Sequence, residues 1–146
     1  MSADRGALPE RADFVEVLLP DGRRLANRVR VARGLLSRFF GLMGQREVPP
    51  GEGIWLVPCR SIHMFFMRTA IDLLFLDSEG EVVRSVSRMR PWSLRPFSVT
   101  LAPVRGARST LELAPGTLER MGFSLPARLL LRPAPGLSPQ PQLTLE

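Results

Sequence analysis

Residues 71–86, IDLLFLDSEGEVVRSV, decide the fold of this chain. Two short apolar runs, residues 71–76 and 81–86, flank the polar segment Asp77-Ser78-Glu79-Gly80. Apolar runs of this length, separated by a few turn-forming residues, are typical of a β-hairpin. We therefore predict two antiparallel strands here and a chain that consists mainly of β-structure.

The same signals recur on both sides of this hairpin. Residues 14–19 (FVEVLL) and the alternating segment 23–32 flank Pro20-Asp21-Gly22, whose Asp-Gly pair suits a tight turn. Apolar residues at helical spacing predict a short helix over residues 35–43. A second short helical segment is predicted over residues 117–122, where Thr117 can cap the first turn after Pro115-Gly116. Four further strands are predicted at residues 54–57, 61–67, 110–113 and 127–131.

These elements together predict the fold class. It is mostly β (α+β), a small barrel-like or curled antiparallel sheet of about seven or eight short strands with one or two short helices. A doubly wound α/β fold is excluded because it needs a helix between successive strands, and most of the predicted strands follow one another without one.

The chain has the length of one domain. Its 146 residues, 45% of them hydrophobic and 23% charged, have the composition of an ordinary globular protein. We predict a flexible leader over residues 1–12, a globular domain over residues 13–132 and a proline-rich extended tail over residues 133–146. The chain shows neither the apolar core of a secretory signal nor the roughly 20 apolar residues of a membrane span, so a cytoplasmic location is the default expectation.

The strongly basic charge balance does not indicate a nucleic-acid partner. The net charge is +6, and all 20 basic residues are arginine. A coding bias toward arginine, proline, glycine and alanine explains this composition, and the arginines are scattered along the chain without a basic run. A phosphate-binding surface needs such residues brought together in space. We therefore do not expect a nucleic-acid partner.

Several blocks of sequence match, in order, the pattern of a known family. The blocks are Arg38-Phe39-Phe40-Gly41-Leu42-Met43-Gly44, Pro50-Gly51-Glu52-Gly53, residues 59–68 (CRSIHMFFMR), Ile71-Asp72, Phe75-Leu76-Asp77, Gly80, Val82-Val83, Pro91-Trp92, Gly106-Ala107, Leu111-Glu112 and Gly116. With these blocks the chain resembles the uncharacterised family called domain of unknown function 192. The resemblance implies one small mixed β domain and brings no assigned catalytic residue with it.

The chain departs from that family pattern in two places. Ser93 stands where the family usually has a basic residue after the Pro-Trp pair. Leu125-Pro126 stands where the family usually has a Gly-Asp pair in its last turn. A family site built on those positions would be lost in this member.

The chain carries few groups for catalysis. His63 is its only histidine, so every mechanism that needs an imidazole must use it. One histidine and one cysteine, Cys59, do not supply the three or four ligands of a zinc site. The glycine motifs of nucleotide-binding loops and of serine hydrolases are missing. We therefore predict no catalytic set, no metal and no cofactor.

Charged residues inside apolar runs are more informative. Arg68 and Asp72 lie between Phe65-Phe66-Met67 and Leu73-Leu74-Phe75, where a lone buried charge would be costly. Either the two side chains pair across a turn, or Arg68 anchors an anion or a carboxylate.

Two further side chains have open interpretations. Glu112, between two leucines, either faces solvent or pairs with Arg38. Trp92, in the proline-stiffened loop 89–97, either presents its ring to a partner or folds back as a lid on one end of the sheet.

We interpret the chain as a non-enzymatic binding or interaction module for a small anionic ligand or a peptide segment, with its oligomeric state open. The predicted ligand-binding residues are His63, Arg68, Asp72, Trp92, Arg38 and Glu112. One alternative is a hydrolase or transferase in which His63 forms an acid–base pair, at about 3 Å, with Asp72 or Glu112. The other is a structural assembly protein, which would have no pocket and a large exposed apolar patch.

Overall fold

Seven strands and three short helices follow one another along residues 7–135, the part of the chain that the structure, a computed structural model, describes. The elements are β1 (Phe14–Leu18), β2 (Arg24–Ala32), α1 (Leu35–Phe40), β3 (Glu52–Leu56), β4 (Ile71–Leu76), β5 (Val82–Met89), α2 (Phe97–Thr100), β6 (Ser109–Leu113), α3 (Thr117–Arg120) and β7 (Leu130–Pro133). No helix among the described residues is long and apolar enough to cross a membrane.

All seven strands belong to one curled sheet, in the order β5-β4-β6-β3-β2-β1-β7. A single bridge between Glu81 and Arg128 brings the two ends of the sheet together without closing it into a barrel. The predicted mostly β, curled α+β fold is therefore confirmed. The prediction of a purely antiparallel sheet is wrong for one pair, because β2 and β3 run parallel. A parallel pair needs a crossover connection, which residues 33–51 provide with α1 inside it.

Side chains alternate between two apolar cores, one on each face of the sheet. In β4, Leu74 and Leu76 pack into the first core, whereas Leu73 and Phe75 pack into the second. Because both faces are covered, every residue of β4 and of β6 is buried. The polar side chains of these two strands must therefore find their hydrogen-bond partners inside the protein.

The predicted strand over residues 61–67 is wrong, since this segment is an irregular loop. The chain turns at Phe66, whose φ of 61° lies in the left-handed region, and the N–H of Met67 points back to the carbonyl oxygen of Met64 at 3.4 Å. Because of this turn, Phe65 and Phe66 are both exposed, and the strand-like alternation of buried and exposed side chains ends there.

Several element boundaries also differ from the prediction. Helix α1 ends at Phe40 because Gly41 adopts φ 47° and ψ −124°. Helix α3 ends at Arg120, the last strand is displaced from residues 127–131 to Leu130–Pro133, and α2 was not predicted. Residues 1–6 and 136–146, which belong to the predicted leader and tail, lie outside the described residues.

Candidate functional site

Glu112 forms the floor of the candidate site. It lies in the middle of β6, and with 5% of its surface exposed it is a buried carboxylate on the face of the sheet toward α1. Burial raises the pKa of Glu112 to about 7, and a hydrogen bond from the backbone N–H of Leu42 opposes part of that rise. The side chain therefore changes its charge near neutral pH.

Arg38 reaches this carboxylate region from α1. Its Nη1 donates a hydrogen bond to the carbonyl oxygen of Pro58 at 2.8 Å, which fixes the guanidinium between the helix and the following loop. Its Nε is buried. No ion pair joins Arg38 to Glu112 within the described part of the chain, so the predicted pairing is not formed although both side chains line one cavity.

His63 lies opposite, on the loop that leaves Pro58. Its Nε2 stands 3.2 Å from the carbonyl oxygen of Phe39. A carbonyl oxygen only accepts, so Nε2 carries the proton and Nδ1 of the neutral ring is an acceptor. That Nδ1 atom is buried.

These three side chains meet at one small cavity of ≈ 40 Å³. Its lining residues are Arg38, Phe39, Phe40, Gly41, Leu42, Leu56, Cys59, Ser61, Ile62, His63 and Glu112, and we call it the Glu112 pocket. Within residues 7–135, the buried side-chain nitrogen and oxygen atoms that lack a hydrogen-bond partner are Arg38 Nε, His63 Nδ1 and Glu112 Oε2. All three belong to residues of this pocket, whereas the buried side-chain nitrogen and oxygen atoms elsewhere in the described chain have hydrogen-bond partners.

Cys59 lies in the wall of the pocket as a protonated thiol. Its Sγ is 3.1 Å from the carbonyl oxygen of Ser61. Burial raises the pKa of the thiol, the hydrogen bond with Thr110 lowers it, and the nearby Glu112 carboxylate raises it further. Cys59 makes no hydrogen bond with His63 in the described structure, so the two do not form a nucleophile–base pair.

A row of aromatic rings leads away from the pocket mouth. The ring centroids of Phe39 and His63 are 5.4 Å apart, those of His63 and Phe65 are 5.6 Å apart, and those of Phe65 and Trp92 are 5.9 Å apart. The aromatic row comprises Phe39, Phe40, Phe65, Phe66 and Trp92, which are between 42% and 62% exposed. Large apolar side chains exposed side by side in this way mark an interaction surface.

Of the six predicted site residues, four lie at the pocket or in the aromatic row, and the other two, Arg68 and Asp72, line neither. Arg38, His63 and Glu112 meet at the pocket, and Trp92 lies at the far end of the aromatic row. Arg68 is exposed.

Asp72 does not reach the pocket and has a structural task instead. Its carboxylate accepts the backbone N–H groups of Arg88 at 2.8 Å, of Gly116 at 3.3 Å and of Leu118 at 2.9 Å. The predicted Arg68–Asp72 pair is wrong, since Asp72 has no exposed surface and its bonds in the described structure go to these N–H groups.

Sequence reasoning missed part of the site. It considered Cys59 as a possible zinc ligand but not as a residue of the site, and it did not single out Phe39, Phe40, Phe65 and Phe66 as site residues. The signal that could have found them is the repeated Phe-Phe pair, at positions 39–40 and 65–66, because two adjacent bulky side chains at an element end cannot both face the core.

The acid–base pair that a His63-dependent hydrolase requires is not formed in the described structure. His63 Nε2 bonds to a backbone carbonyl, and no hydrogen bond joins the ring to Asp72 or Glu112. No group of three histidine, cysteine, aspartate or glutamate side chains stands close enough, in the described part of the chain, to hold a metal ion.

A family model covers most of this architecture. The model of domain of unknown function 192 (DUF192), described as "Uncharacterized ACR", matches residues 17–130. The chain belongs to DUF192. The matched range includes every residue of the Glu112 pocket and of the aromatic row, so both features lie in the family domain.

Curated relatives of this DUF192 chain are named UPF0127 proteins. One from Thermococcus sibiricus is 35% identical over 109 residues, which make up 71% of this chain and 66% of the relative. UPF0127 protein PF1050 from Pyrococcus furiosus is 32% identical over 113 residues, which make up 74% of this chain and 90% of the relative. Neither name states an activity.

Two crystal structures share the fold of this DUF192 chain. A protein from Sinorhizobium meliloti 1021, provisionally described as a transcription regulator, is 25% identical with a TM-score of 0.65 and covers 81% of this chain and 92% of its own. A protein of unknown function from Novosphingobium aromaticivorans is 22% identical with a TM-score of 0.66 and covers 80% and 83%.

Proposed function

We propose that this protein is a non-enzymatic binding module that recognises a short peptide segment at the Glu112 pocket and the aromatic row. The observation that carries the proposal is that three buried side-chain atoms without a hydrogen-bond partner all belong to residues that line one cavity, beside a row of exposed rings. A buried polar atom without a partner costs about 1–3 kcal/mol, so their concentration in one place favours a ligand that pairs with them.

The size of the pocket supports a segment over a whole small molecule. Cavities that enclose a complete ligand measure about 300–1,000 Å³. The Glu112 pocket, at ≈ 40 Å³, has room for one polar end group. The remainder of a ligand would lie along the aromatic row, where Phe39, Phe65 and Trp92 offer flat apolar contacts to neighbouring side chains.

The charge of the surrounding loops supports a segment with negative charge near its ends. The stretches 57–70 and 90–108 contain no acidic residue. Their arginines are Arg60, Arg68, Arg90, Arg95, Arg105 and Arg108, of which Arg108 forms an ion pair with Glu10. Positive loops around an apolar contact surface favour the approach of acidic partners and disfavour basic ones.

Nucleic-acid binding has less support, although the Sinorhizobium structure is provisionally described as a regulator. The longest helix in residues 7–135, α1, has six residues. A recognition helix that lies in the DNA major groove is part of a larger helical unit that also contacts the phosphate backbone. Binding of a polypeptide to the exposed aromatic rings requires no such helical unit.

The proposal is tested by selecting binders from a random dodecapeptide library and mapping the selected peptides on isotope-labelled protein by NMR. We expect shifts that centre on Phe39, His63 and Trp92, and at least about tenfold weaker binding by the His63→Ala and Phe39→Ala variants. Leu130→Ala, which alters an exposed apolar side chain on β7, is the matched control and should bind as the wild type does. Selected peptides that shift residues of neither the pocket nor the aromatic row would refute the proposal.

A further inference from the structure

The Glu112 pocket presents an ordered set of hydrogen-bonding groups. Arg38 Nε carries one N–H and can only donate. In the neutral ring His63 Nδ1 accepts, because the contact with the Phe39 carbonyl oxygen assigns the single proton to Nε2. Glu112 Oε2 accepts when the carboxylate is ionised. The pocket therefore offers one donor and two acceptors.

One common chemical group complements all three atoms. A primary carboxamide has a carbonyl oxygen that accepts and an NH₂ group with two hydrogens that donate. Resting on the function proposed above, we infer that the Glu112 pocket recognises a primary carboxamide, the side chain of an asparagine or glutamine in the bound segment. Its oxygen accepts from Arg38 Nε, and its two N–H groups donate to His63 Nδ1 and Glu112 Oε2.

Other end groups leave at least one pocket atom unpaired. A carboxylate has only acceptors, so it needs an added proton on both His63 and Glu112 before all contacts are favourable. An ammonium group has no acceptor for Arg38 and brings a second positive charge beside the guanidinium. A hydroxyl has one hydrogen and serves one of the two acceptors. The carboxamide alone in this set pairs every atom without a change in protonation.

The dimensions of the cavity agree with this group. A single water molecule needs about 10–15 Å³. The pocket is several times larger, at ≈ 40 Å³, and suits the few heavy atoms of a carboxamide. The apolar lining residues, among them Phe39 and Phe40, leave no room for more than that group. The side chain of the ligand therefore enters end-on, and the ligand backbone stays at the mouth of the pocket.

The pH dependence of binding distinguishes a carboxamide ligand from a carboxylate ligand. The charged and titratable groups around the cavity are Arg38, His63, Cys59 and Glu112. The pKa of Glu112 is raised to about 7, so at pH 8 its carboxylate is mostly ionised and accepts. A carboxamide ligand then binds best at pH 8 and loses affinity at pH 6, where Glu112 gains a proton. A carboxylate ligand shows the opposite trend, because its binding takes up protons.

The test uses three acetylated tripeptide N-methylamides with the sequences Leu-Gln-Leu, Leu-Glu-Leu and Leu-norleucine-Leu. The N-methylamide ends avoid a second primary carboxamide. Affinities are measured by NMR titration of the full chain at pH 8 and pH 6. We expect the glutamine peptide to bind at least about tenfold tighter than the other two at pH 8, since each unpaired buried atom weakens a complex by about that factor.

Matched variants connect this preference to the pocket. Arg38→Lys keeps the positive charge and removes the Nε–H of the guanidinium, and it should remove most of the preference for glutamine. Arg46→Lys makes the same exchange at an exposed position outside the pocket and should leave the preference unchanged. A circular dichroism melting curve for each variant separates loss of fold from loss of recognition.

Each other outcome counts against the inference in a distinguishable way. Tighter binding of the glutamate peptide at pH 8, with shifts at His63, would overturn the carboxamide and leave the binding module standing. Equal binding of the norleucine peptide would also overturn it, because the polar atoms would then play no part. If no peptide shifts any pocket residue at millimolar concentration, and the library selection fails as well, both the inference and the proposed function are wrong.

Discussion

The backbone of Gly41 lies against the carboxylate of Glu112. A β-carbon built on Gly41 would stand 3.3 Å from Oε2 and 3.8 Å from Oε1 of Glu112. Gly41 also ends α1 with φ 47° and ψ −124°, a conformation that side chains rarely adopt. The end of the helix and the floor of the pocket are therefore one feature, and a change at Gly41 affects both.

Gly41→Ala should reduce both stability and ligand binding. The forbidden backbone conformation costs on the order of 1–3 kcal/mol, and the new methyl group presses on Glu112. Gly44→Ala is the matched control, because Gly44 also has a positive φ of 80° but an added β-carbon there meets nothing within 4 Å. We expect both variants to unfold at lower urea concentration, and only Gly41→Ala to lose peptide affinity. Equal affinity losses would show that strain alone disturbs the site.

Glu112→Gln should change how stability depends on pH. An unfolded glutamate has a pKa of 4.5, and burial raises the folded value to about 7. The folded state therefore holds the proton more tightly, and the wild type loses stability as pH rises from about 4.5 to 7, by on the order of 3 kcal/mol.

The comparison of urea unfolding at pH 5 and pH 8 measures this effect. The glutamine variant should lack this contribution and should gain relative to the wild type at pH 8. Glu119→Gln removes an exposed carboxylate and should leave the wild-type dependence unchanged. Parallel curves for wild type and Glu112→Gln would contradict a pKa raised by burial.

Cys59 should be alkylated slowly, mainly because it is buried, and the charge of Glu112 should slow the reaction further. Burial and the negative charge of Glu112 raise the pKa of the thiol, so little reactive thiolate is present at pH 8. Glu112→Gln should accelerate the reaction with iodoacetamide on the order of a few-fold, and Arg38→Gln, which removes a positive charge, should slow it. Mass spectrometry at timed intervals gives both rates; a rate that neither variant changes would place Cys59 outside the electrostatic reach of the pocket.

Asp72→Ala should strongly destabilise the fold. It leaves three backbone N–H groups without their acceptor, the buried ones of Gly116 and Leu118 and the part-buried one of Arg88. The expected loss is roughly 3–5 kcal/mol in free energy of unfolding, and Asp72→Asn should lose less because one oxygen remains. Asp21→Ala removes an exposed aspartate and serves as the control. A mild effect of Asp72→Ala would show that solvent reaches these N–H groups.

Much of the fold follows from local sequence, because apolar alternation and turn residues are local signals. The hairpin of β4 and β5 appears where residues 71–86 predicted it. The loop after Pro58 was misassigned because Ile62 and Met64 alternate with Ser61 and His63 as in a strand. That alternation is real, since Ile62 and Met64 are buried, but the loop gains its burial from packing and not from strand pairing.

The candidate site was only partly predictable, for a related reason. Sequence singled out Arg38, His63 and Glu112 as residue types, but their meeting at one cavity depends on α1, β6 and a loop that are far apart in the chain. Asp72 illustrates the limit. A carboxylate in an apolar run signals that a partner exists. The identity of that partner depends on where α3 lies in space and on the register shift in the β4–β5 pairing, between Val86 and Met89, which contains Arg88.

The parallel pairing of β2 with β3 has a consequence for protein engineering. Strand pairing holds Glu112 in the sheet, while Arg38 lies on the crossover that this parallel pairing requires. A crossover can change in length and composition without a change in strand register. Residues in the connection between β2 and β3 can therefore be inserted or exchanged to reshape the upper wall of the pocket while strand pairing keeps Glu112 in place, so engineers who wish to graft new specificity onto this scaffold should change this connection.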